Sequence, residues 1–224
     1  MPNWCSNTLT LTHTDPAMLQ RAVAGWNRGG LFQEFVPCPQ DLIDTVSGFM
    51  GDDEEQRLLE ERQKANREKH GYTTWYEFCV ARWGTKWDVG ACCGGDTMSL
   101  GETTVDFSFD TAWSPPVQFY KALDELGFFV DAFYHEPGMG FCGHYTTDGG
   151  DEYHEITGDS DWVEENIPAD IDLMFCISSS MAEWEEDEDE DEDEENLDMD
   201  LDGGISAVHE GVHPEEDDED EDTK

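Results

Sequence analysis

Residues 103–110 read TTVDFSFD and carry the clearest strand pattern in the chain. Val105, Phe107 and Phe109 alternate with polar residues, and a period of two is typical of a β-strand with one apolar and one solvated face. Shortly downstream, a Ser-Pro-Pro sequence marks the beginning of a helix over residues 117–126. Strand and helix signals therefore follow each other closely, which favours a mixed α and β fold.

The same reasoning assigns elements to the rest of the chain. Predicted strands cover residues 6–13, 86–92, 103–110, 128–136, 141–147, 152–157 and 173–178. Further predicted helices begin at Asp15-Pro16, at Asp52 and at a capping box formed by Thr74 and Glu77, and one helical turn covers residues 161–166. The helix over residues 52–70 has acids first and bases last, as the helix dipole favours, and its mixed charges predict an exposed helical insertion.

This order of elements predicts a ferredoxin-like split βαβ sandwich, an α+β fold with an antiparallel sheet and helices on one face. We expect the domain to cover residues 1–182, with a helical insertion at about 37–84. Residues 183–224 are dominated by Asp and Glu, whose like charges repel and extend a chain. We therefore expect a disordered acidic tail with a solubilising role, or alternatively a short binding motif around residues 197–212.

The charge of the protein restricts its partners. The 224 residues include 55 Asp or Glu and 11 Lys or Arg, which gives a formal net charge of −44. Binding to nucleic-acid phosphates or to an anionic membrane needs clustered cations, so both are excluded as direct partners. A basic protein is the partner that this charge favours.

The cysteine content and the apolar pattern bear on location. Seven cysteines are scattered through the chain, which is not the pattern of a small disulfide framework. The first residues lack a basic segment followed by an apolar run, and no apolar stretch approaches the ~20 residues that a membrane helix needs. We expect a cytoplasmic protein with free thiols.

Four segments occur together in a characteristic order. They are MPNWCSNTLT at residues 1–10, WGTKWD at 83–88, FDTAWSPP at 109–116 and EPGMGF at 136–141. Together they resemble the YubB-type ferredoxin-like domain family of bacteriophages and conjugative plasmids. The resemblance reaches from residue 1 to about 145 and implies a ferredoxin-like fold and a mobile-element origin, hence the cytoplasm of a host cell. It implies no catalytic residues, and the acidic tail departs from the family pattern.

Several residues of these segments lie at the ends of predicted elements, where they can form an aromatic-walled surface for a ligand or a partner. They are Trp83, Lys86, Trp87, Asp88, Trp113, Glu136, Met139 and Phe141. The alternative is that the aromatic residues cover the sheet while Pro and Gly shape the turns. We expect this second interpretation to hold, so that alanine at Trp87 or Trp113 lowers stability by ~3–5 kcal/mol. Asp88→Asn and Glu136→Gln are then expected to be nearly neutral.

The predicted hairpin over residues 128–147 carries a weak candidate set of metal ligands. A four-residue loop places His135 opposite Cys142, and His144 lies on the same side of the sheet. Imidazole and thiolate are zinc ligands, but the usual Cys-x2-Cys and His-x3-His spacings are absent. Nucleophile-elbow, phosphate-loop and zinc-protease motifs are absent as well. We expect no metal, no other cofactor and no catalysis.

Two functions remain open from the sequence. In the first, a non-catalytic phage or plasmid accessory protein binds a basic host protein, such as a DNA-handling or defence protein, as a polyanionic mimic of nucleic acid. In the second, a small-molecule-binding or enzymatic domain uses an aromatic site around Trp87, Trp113 and Glu136. We prefer the first, because the charge of −44 serves only solubility in the second.

Overall fold

The computed structural model describes residues 3–91 and 95–186. The chain divides into two units, Met1–Ser179 and Ser180–Lys224, and the elements below belong to the first. The strands are β1 (Trp4–Thr12), β2 (Gly95–Leu100), β3 (Thr104–Ala112), β4 (Phe129–Glu136), β5 (Phe141–Thr146) and β6 (Gly150–Glu155). The helices are α1 (Pro16–Asn27), α2 (Leu31–Phe35), α3 (Gln40–Ile43), α4 (Asp53–His70), α5 (Trp75–Arg82), α6 (Val117–Glu125), α7 (Ser160–Asn166) and α8 (Ala169–Phe175).

The strands form one antiparallel six-stranded sheet in the order β2-β3-β1-β4-β5-β6. At its centre, Leu9 of β1 lies opposite Phe107 of β3 and Ala132 of β4. The strand predicted from TTVDFSFD is confirmed as β3, and its buried positions alternate as the sequence indicates. The α+β class is therefore confirmed.

Helix ends follow the capping residues of the sequence. The Asp15 side chain accepts a hydrogen bond from the N–H of Ala17 before α1, and Asp52 does the same for Glu55 before α4. Helix α4 ends at Gly71, whose φ of 83° is a left-handed conformation that glycine adopts without strain. The helices predicted at these positions are confirmed. They were predictable because hydrogen bonds between near neighbours in sequence determine where they begin and end.

The main core lies between one face of the sheet and the helices α1, α2, α5 and α6. The Trp26 ring of α1 lies 4.9 Å from that of Phe107, and Phe32 of α2 lies 4.6 Å from Phe119 of α6. Such contacts between large rings supply much of the burial in a domain of this size. On the opposite face, α8 contacts β4 and β5.

The strand predicted over residues 86–92 is wrong in its described part, since residues 86–91 form an irregular segment. The strand that pairs with β3 on the side away from β1 is β2, which begins later, at Gly95. The reason is a long-range contact: the Asp88 carboxylate accepts hydrogen bonds from the N–H groups of Phe32 and Gln33 at the beginning of α2. This binds the segment to a helix instead of a sheet edge.

The strand predicted over residues 173–178 is also wrong. These residues are helical or form the turn after α8, and Cys176 ends that helix with a φ of 53°. Ile171 is buried while Leu173 is 77% exposed, which is a helical burial pattern. A short apolar run cannot be assigned to helix or strand by periodicity alone.

The predicted tail at residues 183–224 lies outside the described residues from position 187 onward. Helix α2 lies within a short apolar run at residues 31–36. In the part of the chain that the structure describes, no helix combines the length and the apolar character needed to cross a bilayer.

Candidate functional site

Three tryptophans from separate segments meet at one end of the sheet. Trp4 is the first residue of β1 and Trp113 follows directly after β3, and antiparallel pairing places Trp4 opposite Ala112. The N–H of Trp113 donates to the carbonyl oxygen of Asn3 at 3.0 Å, which ties these two strand ends together. Trp87 comes from the irregular segment before β2.

Lys86 lies between two of these rings. Its Nζ is 4.3 Å from the centroid of the Trp87 ring and 4.9 Å from that of Trp113. The Trp4 ring lies 6.0 Å from Trp87. The three indoles are 41–47% exposed. We call Trp4, Lys86, Trp87 and Trp113 the tryptophan cluster; it is an aromatic surface that surrounds a cation and remains open to water.

The backbone of Trp113 is in an uncommon conformation. Its φ is 67°, in the left-handed region that bulky residues rarely adopt. The turn is held by the Thr111 hydroxyl, which donates to the Ser114 carbonyl at 2.8 Å, and by the Ser114 hydroxyl, which donates to that of Gly84 at 2.7 Å. A residue in such a region costs about 1–3 kcal/mol and persists only where its surroundings impose it. The residue held in this conformation is the one whose indole contacts Lys86.

Three other predicted site residues have different surroundings. Trp83 is buried, and its indole Nε1–H donates to the carbonyl oxygen of Val36 at 2.9 Å. Phe141 is buried beside Tyr134. Met139 is 70% exposed in the loop between β4 and β5. Trp83 and Phe141 are therefore core residues, and Met139 belongs to an exposed loop.

The two predicted carboxylates hold the backbone. Asp88 accepts from the N–H groups of Phe32, Gln33 and Val89 at 2.7–2.8 Å. Burial raises the pKa of Asp88, while these three N–H groups act in the opposite direction. Glu136 is 1% exposed and accepts from the next two N–H groups of its own loop. Both side chains therefore have a structural role in holding the backbone, although Asp88 also lines the cavity beside Lys86 and Trp87.

These surroundings change which substitutions are expected to lower stability. Trp87 and Trp113 are half-exposed, so the expectation that they belong to the core is wrong. Asp88 and Glu136 accept backbone hydrogen bonds at partly buried positions, so Asp88→Asn and Glu136→Gln are expected to lower stability instead of being nearly neutral. The cause is the same in both cases: side-chain type predicts burial only on average, and the contacts that each residue makes in the fold decide how exposed it is.

Trp4 is the residue of the surface that sequence reasoning missed. It stands in the first of the four characteristic segments, but nothing local shows which strand end lies beside β1. The register Trp4 to Ala112 makes it a neighbour of Trp113. The predicted strand began only at residue 6, so Trp4 lay outside it, although the observed strand begins at Trp4.

A cavity of about 320 Å³ opens beside the tryptophan cluster and is lined by Trp83, Lys86 and Trp87, with Cys38 and Cys79 on its wall. The two thiols interact as a donor and acceptor pair, which lowers the pKa of Cys38. Both are free thiols. A larger cavity of about 580 Å³ lies between α4 and α5, away from the cluster.

The weak metal candidate is the set His135, Cys142 and His144, whose side chains make separate contacts. His135 lies opposite Cys142, as the hairpin register predicts. His144 instead stacks on Phe133 at 3.8 Å, and its Nε2 lies 2.6 Å from a carboxylate oxygen of Asp131. Within residues 3–91 and 95–186, no group of three His, Cys, Asp or Glu side chains is arranged to hold a metal ion.

Acidic residues concentrate in the last part of the first unit. Residues 148–172 contain ten Asp or Glu and no Lys or Arg. Nine of the ten are exposed, namely Asp148, Asp151, Glu152, Glu155, Asp159, Asp161, Glu164, Glu165 and Asp170. We call residues 148–172 the acidic segment; it comprises the edge strand β6, α7 and the first part of α8.

Comparisons with known proteins identify one remote structural neighbour and no family. No protein-family model matches the chain, and no curated protein matches it. Among solved structures, the chain is similar to the crystal structure of a protein api92 from Yersinia pseudotuberculosis, of family model DUF1281. The identity is 10%, the match covers 70% of this chain and 99% of that chain, and the TM-score is 0.38. A likeness this remote carries no argument about function, which has to be inferred from the residues themselves.

Proposed function

We propose that the protein is a non-catalytic binding protein whose acidic segment occupies a basic surface on a partner, in the place of nucleic acid. The observation that carries this proposal is the segregation of charge. Nine exposed carboxylates lie within residues 148–172, with no Lys or Arg among them. The cations of the chain precede this segment, apart from the final Lys224.

The charges of one short segment act together. At physiological salt the Debye length is about 8 Å, so carboxylates on one short helix are screened little from each other. A partner's basic cleft therefore experiences them as one polyanion, and the attraction speeds association. Surfaces that bind nucleic acid are basic by necessity, because phosphate contacts dominate their affinity. Such a surface is the partner that the acidic segment fits.

We propose further that the core is ferredoxin-like and that the protein acts in a host cytoplasm as a product of a phage or plasmid. The strand order β2-β3-β1-β4, with α1 after β1 and α6 between β3 and β4, supports the ferredoxin-like arrangement. Helices α3, α4 and α5 then constitute the insertion at about 37–84. The four characteristic segments, which resemble the YubB-type family, support the mobile-element origin.

A second candidate function is ligand binding at the aromatic residues. The position of Lys86 between Trp87 and Trp113 favours it. The hydrogen bonds of Glu136 count against catalysis there, since this carboxylate is occupied by its own loop. A metabolite that stays bound to the purified protein would favour this function over protein binding.

The acidic segment can be tested by competition. The assay measures how well the protein displaces a fluorescent DNA duplex from a purified non-sequence-specific DNA-binding protein. The test variant neutralises α7 through Asp161→Asn, Glu164→Gln and Glu165→Gln. We expect displacement by the unchanged protein to weaken as salt is raised, and the variant to require a severalfold higher concentration.

The matched control removes the same number of charges elsewhere. Asp53→Asn, Glu60→Gln and Glu68→Gln neutralise three exposed residues of α4, where acids are mixed with bases. We expect this control to displace the duplex as well as the unchanged protein. Equal weakening in both variants would show that net charge alone matters, and no displacement by any form would contradict mimicry.

A further inference from the structure

The tryptophan cluster already binds a cation of its own chain. Lys86 Nζ lies within 5 Å of the centroids of two indole rings, as a favourable cation–π contact requires. Among the residues that the structure describes, no carboxylate lies within ion-pairing distance of Lys86. Within the described part of the chain, this lysine contacts aromatic faces instead. The rings therefore form a site that suits a positively charged group.

The site is open and its geometry is imposed. Trp4, Trp87 and Trp113 keep 41–47% of their surface exposed, although burial of such rings is favourable. The left-handed φ of 67° at Trp113 orients one wall of the site. Backbone outliers of this kind cluster at binding sites, because a relaxed turn would not place the side chain there. Exposed tryptophans are also the residue type most enriched among interface hot spots.

The cluster is connected to the acidic segment through the loop between β4 and β5. A Cβ atom on Gly138 would lie only 2.6 Å from the Asn3 side-chain nitrogen, so this loop packs closely against the residue that bonds Trp113. Two residues later, the Gly140 carbonyl accepts from the N–H of Ile156, which follows β6. One partner that binds the acidic end of β6 can therefore also reach the tryptophans.

We propose that the tryptophan cluster is a binding site for an arginine side chain of the basic partner, and that Lys86 is the internal occupant which this arginine displaces. The inference rests on the proposed function, because it takes the partner to be a basic protein. The guanidinium group is planar, stacks on indole and is more weakly hydrated than an ammonium group. It therefore competes well for the rings, while the flexible, strongly hydrated Lys86 moves into water.

The test uses a fluorescent arginine-rich peptide and the same peptide with lysine at each arginine position. Peptide anisotropy and tryptophan fluorescence are measured with the full chain at ~0.15 M salt. We expect tighter binding of the arginine peptide, and Trp87→Ala to weaken it by about two- to thirtyfold, since a cation–π contact contributes ~0.5–2 kcal/mol. Trp87→Phe keeps a ring and is expected to retain most of the binding.

The decisive variant is Lys86→Ala, which empties the site. We expect it to bind the arginine peptide severalfold more tightly than the unchanged protein. Lys121→Ala on α6 is the matched control, because it removes the same charge from an exposed position. Equal tightening in both variants would show a general charge effect and overturn the proposal. Equal affinity for the two peptides would also overturn the proposal. The same holds if tetramethylammonium, a cation without a guanidinium group, quenches the tryptophan fluorescence while the arginine peptide does not bind.

The two proposals fail separately. If the Trp87 and Lys86 variants leave arginine binding unchanged while neutralised α7 still loses duplex displacement, the arginine site is wrong and the acidic mimic stands. If the α7 variant displaces the duplex normally while Lys86→Ala tightens the arginine peptide, the site stands and the mimic is wrong. Urea midpoints of all variants show which of them remain folded.

Discussion

The substitution Glu136→Gln tests whether a buried carboxylate holds the loop beside the tryptophan cluster. Glu136 is 1% exposed, and its two oxygens accept from the N–H groups of Gly138 at 2.9 Å and Met139 at 2.6 Å. Glutamine has the same shape, but one oxygen becomes an NH₂ group. Whichever way the amide is turned, one backbone N–H faces another donor, and the NH₂ group is buried without an acceptor.

The magnitude follows from these two hydrogen bonds. A buried donor left without its partner costs ~1–3 kcal/mol, and a bond to a neutral amide is weaker than one to a carboxylate. Because Gly138 and Met139 are exposed, their N–H groups can turn to water, which reduces the loss. We expect the free energy of unfolding to fall by about 1–2 kcal/mol.

The control is Glu155→Gln on β6. Glu155 lies opposite Phe141, which lies opposite Glu136, so both glutamates occupy the same row of the sheet, but Glu155 is exposed. The same charge is removed from a protein of net charge −44, so relief of repulsion acts in both variants.

Urea unfolding followed by circular dichroism provides the measurement. With a urea m-value of ~2 kcal/mol/M, the Glu136→Gln midpoint should lie roughly 0.5–1 M below that of the control. Equal midpoints with equal slopes would show that the loop does not depend on this carboxylate. The structural role assigned to Glu136 would then be refuted.

Further outcomes separate the core from the surface. Trp83→Ala should lower stability by ~3–5 kcal/mol and Trp87→Ala by only ~1–2 kcal/mol, since Trp83 is 4% and Trp87 41% exposed; similar urea midpoints would contradict this. Burial lowers the pKa of His135, so folding favours its neutral form. Its contribution to stability is present above the unfolded pKa of ~6.5 and lost as pH falls. An NMR titration with a midpoint at or above that value would refute this. Burial raises the pKa of the Cys5 thiol, whereas Cys176 is exposed. Iodoacetamide should therefore alkylate Cys176 in the folded protein and Cys5 only after unfolding, which mass spectrometry can measure.

Elements whose signals are local were predictable. β3 was recognised because its apolar residues alternate, and α1 and α4 because Asp15 and Asp52 cap them through hydrogen bonds that span two or three residues. Such interactions are visible in a short window of sequence. The irregular segment at 86–91 depends on hydrogen bonds that Asp88 accepts from Phe32 and Gln33, which lie 56 and 55 positions earlier in the chain. No local pattern contains that information.

The candidate site shows the same division. The characteristic segments drew attention to Lys86, Trp87 and Trp113, and these residues do lie together. Trp4 joined them only through the pairing of β1 with β3. Glu136 does not belong to the cluster, because its carboxylate accepts hydrogen bonds from the N–H groups of its own loop. Residue types suggested the chemistry, while strand register determined which side chains share a surface.

Composition and local pattern alone establish a strongly acidic α+β chain with capped helices and alternating strands. They do so because net charge is additive and because helix caps and strand alternation involve neighbouring residues. The partial burial of Asp88, the burial of Glu136 and the exposure of Trp87 and Trp113 required the three-dimensional arrangement. These properties are set when the antiparallel strands pair and the helices pack against the sheet, which brings together segments that are separate in sequence.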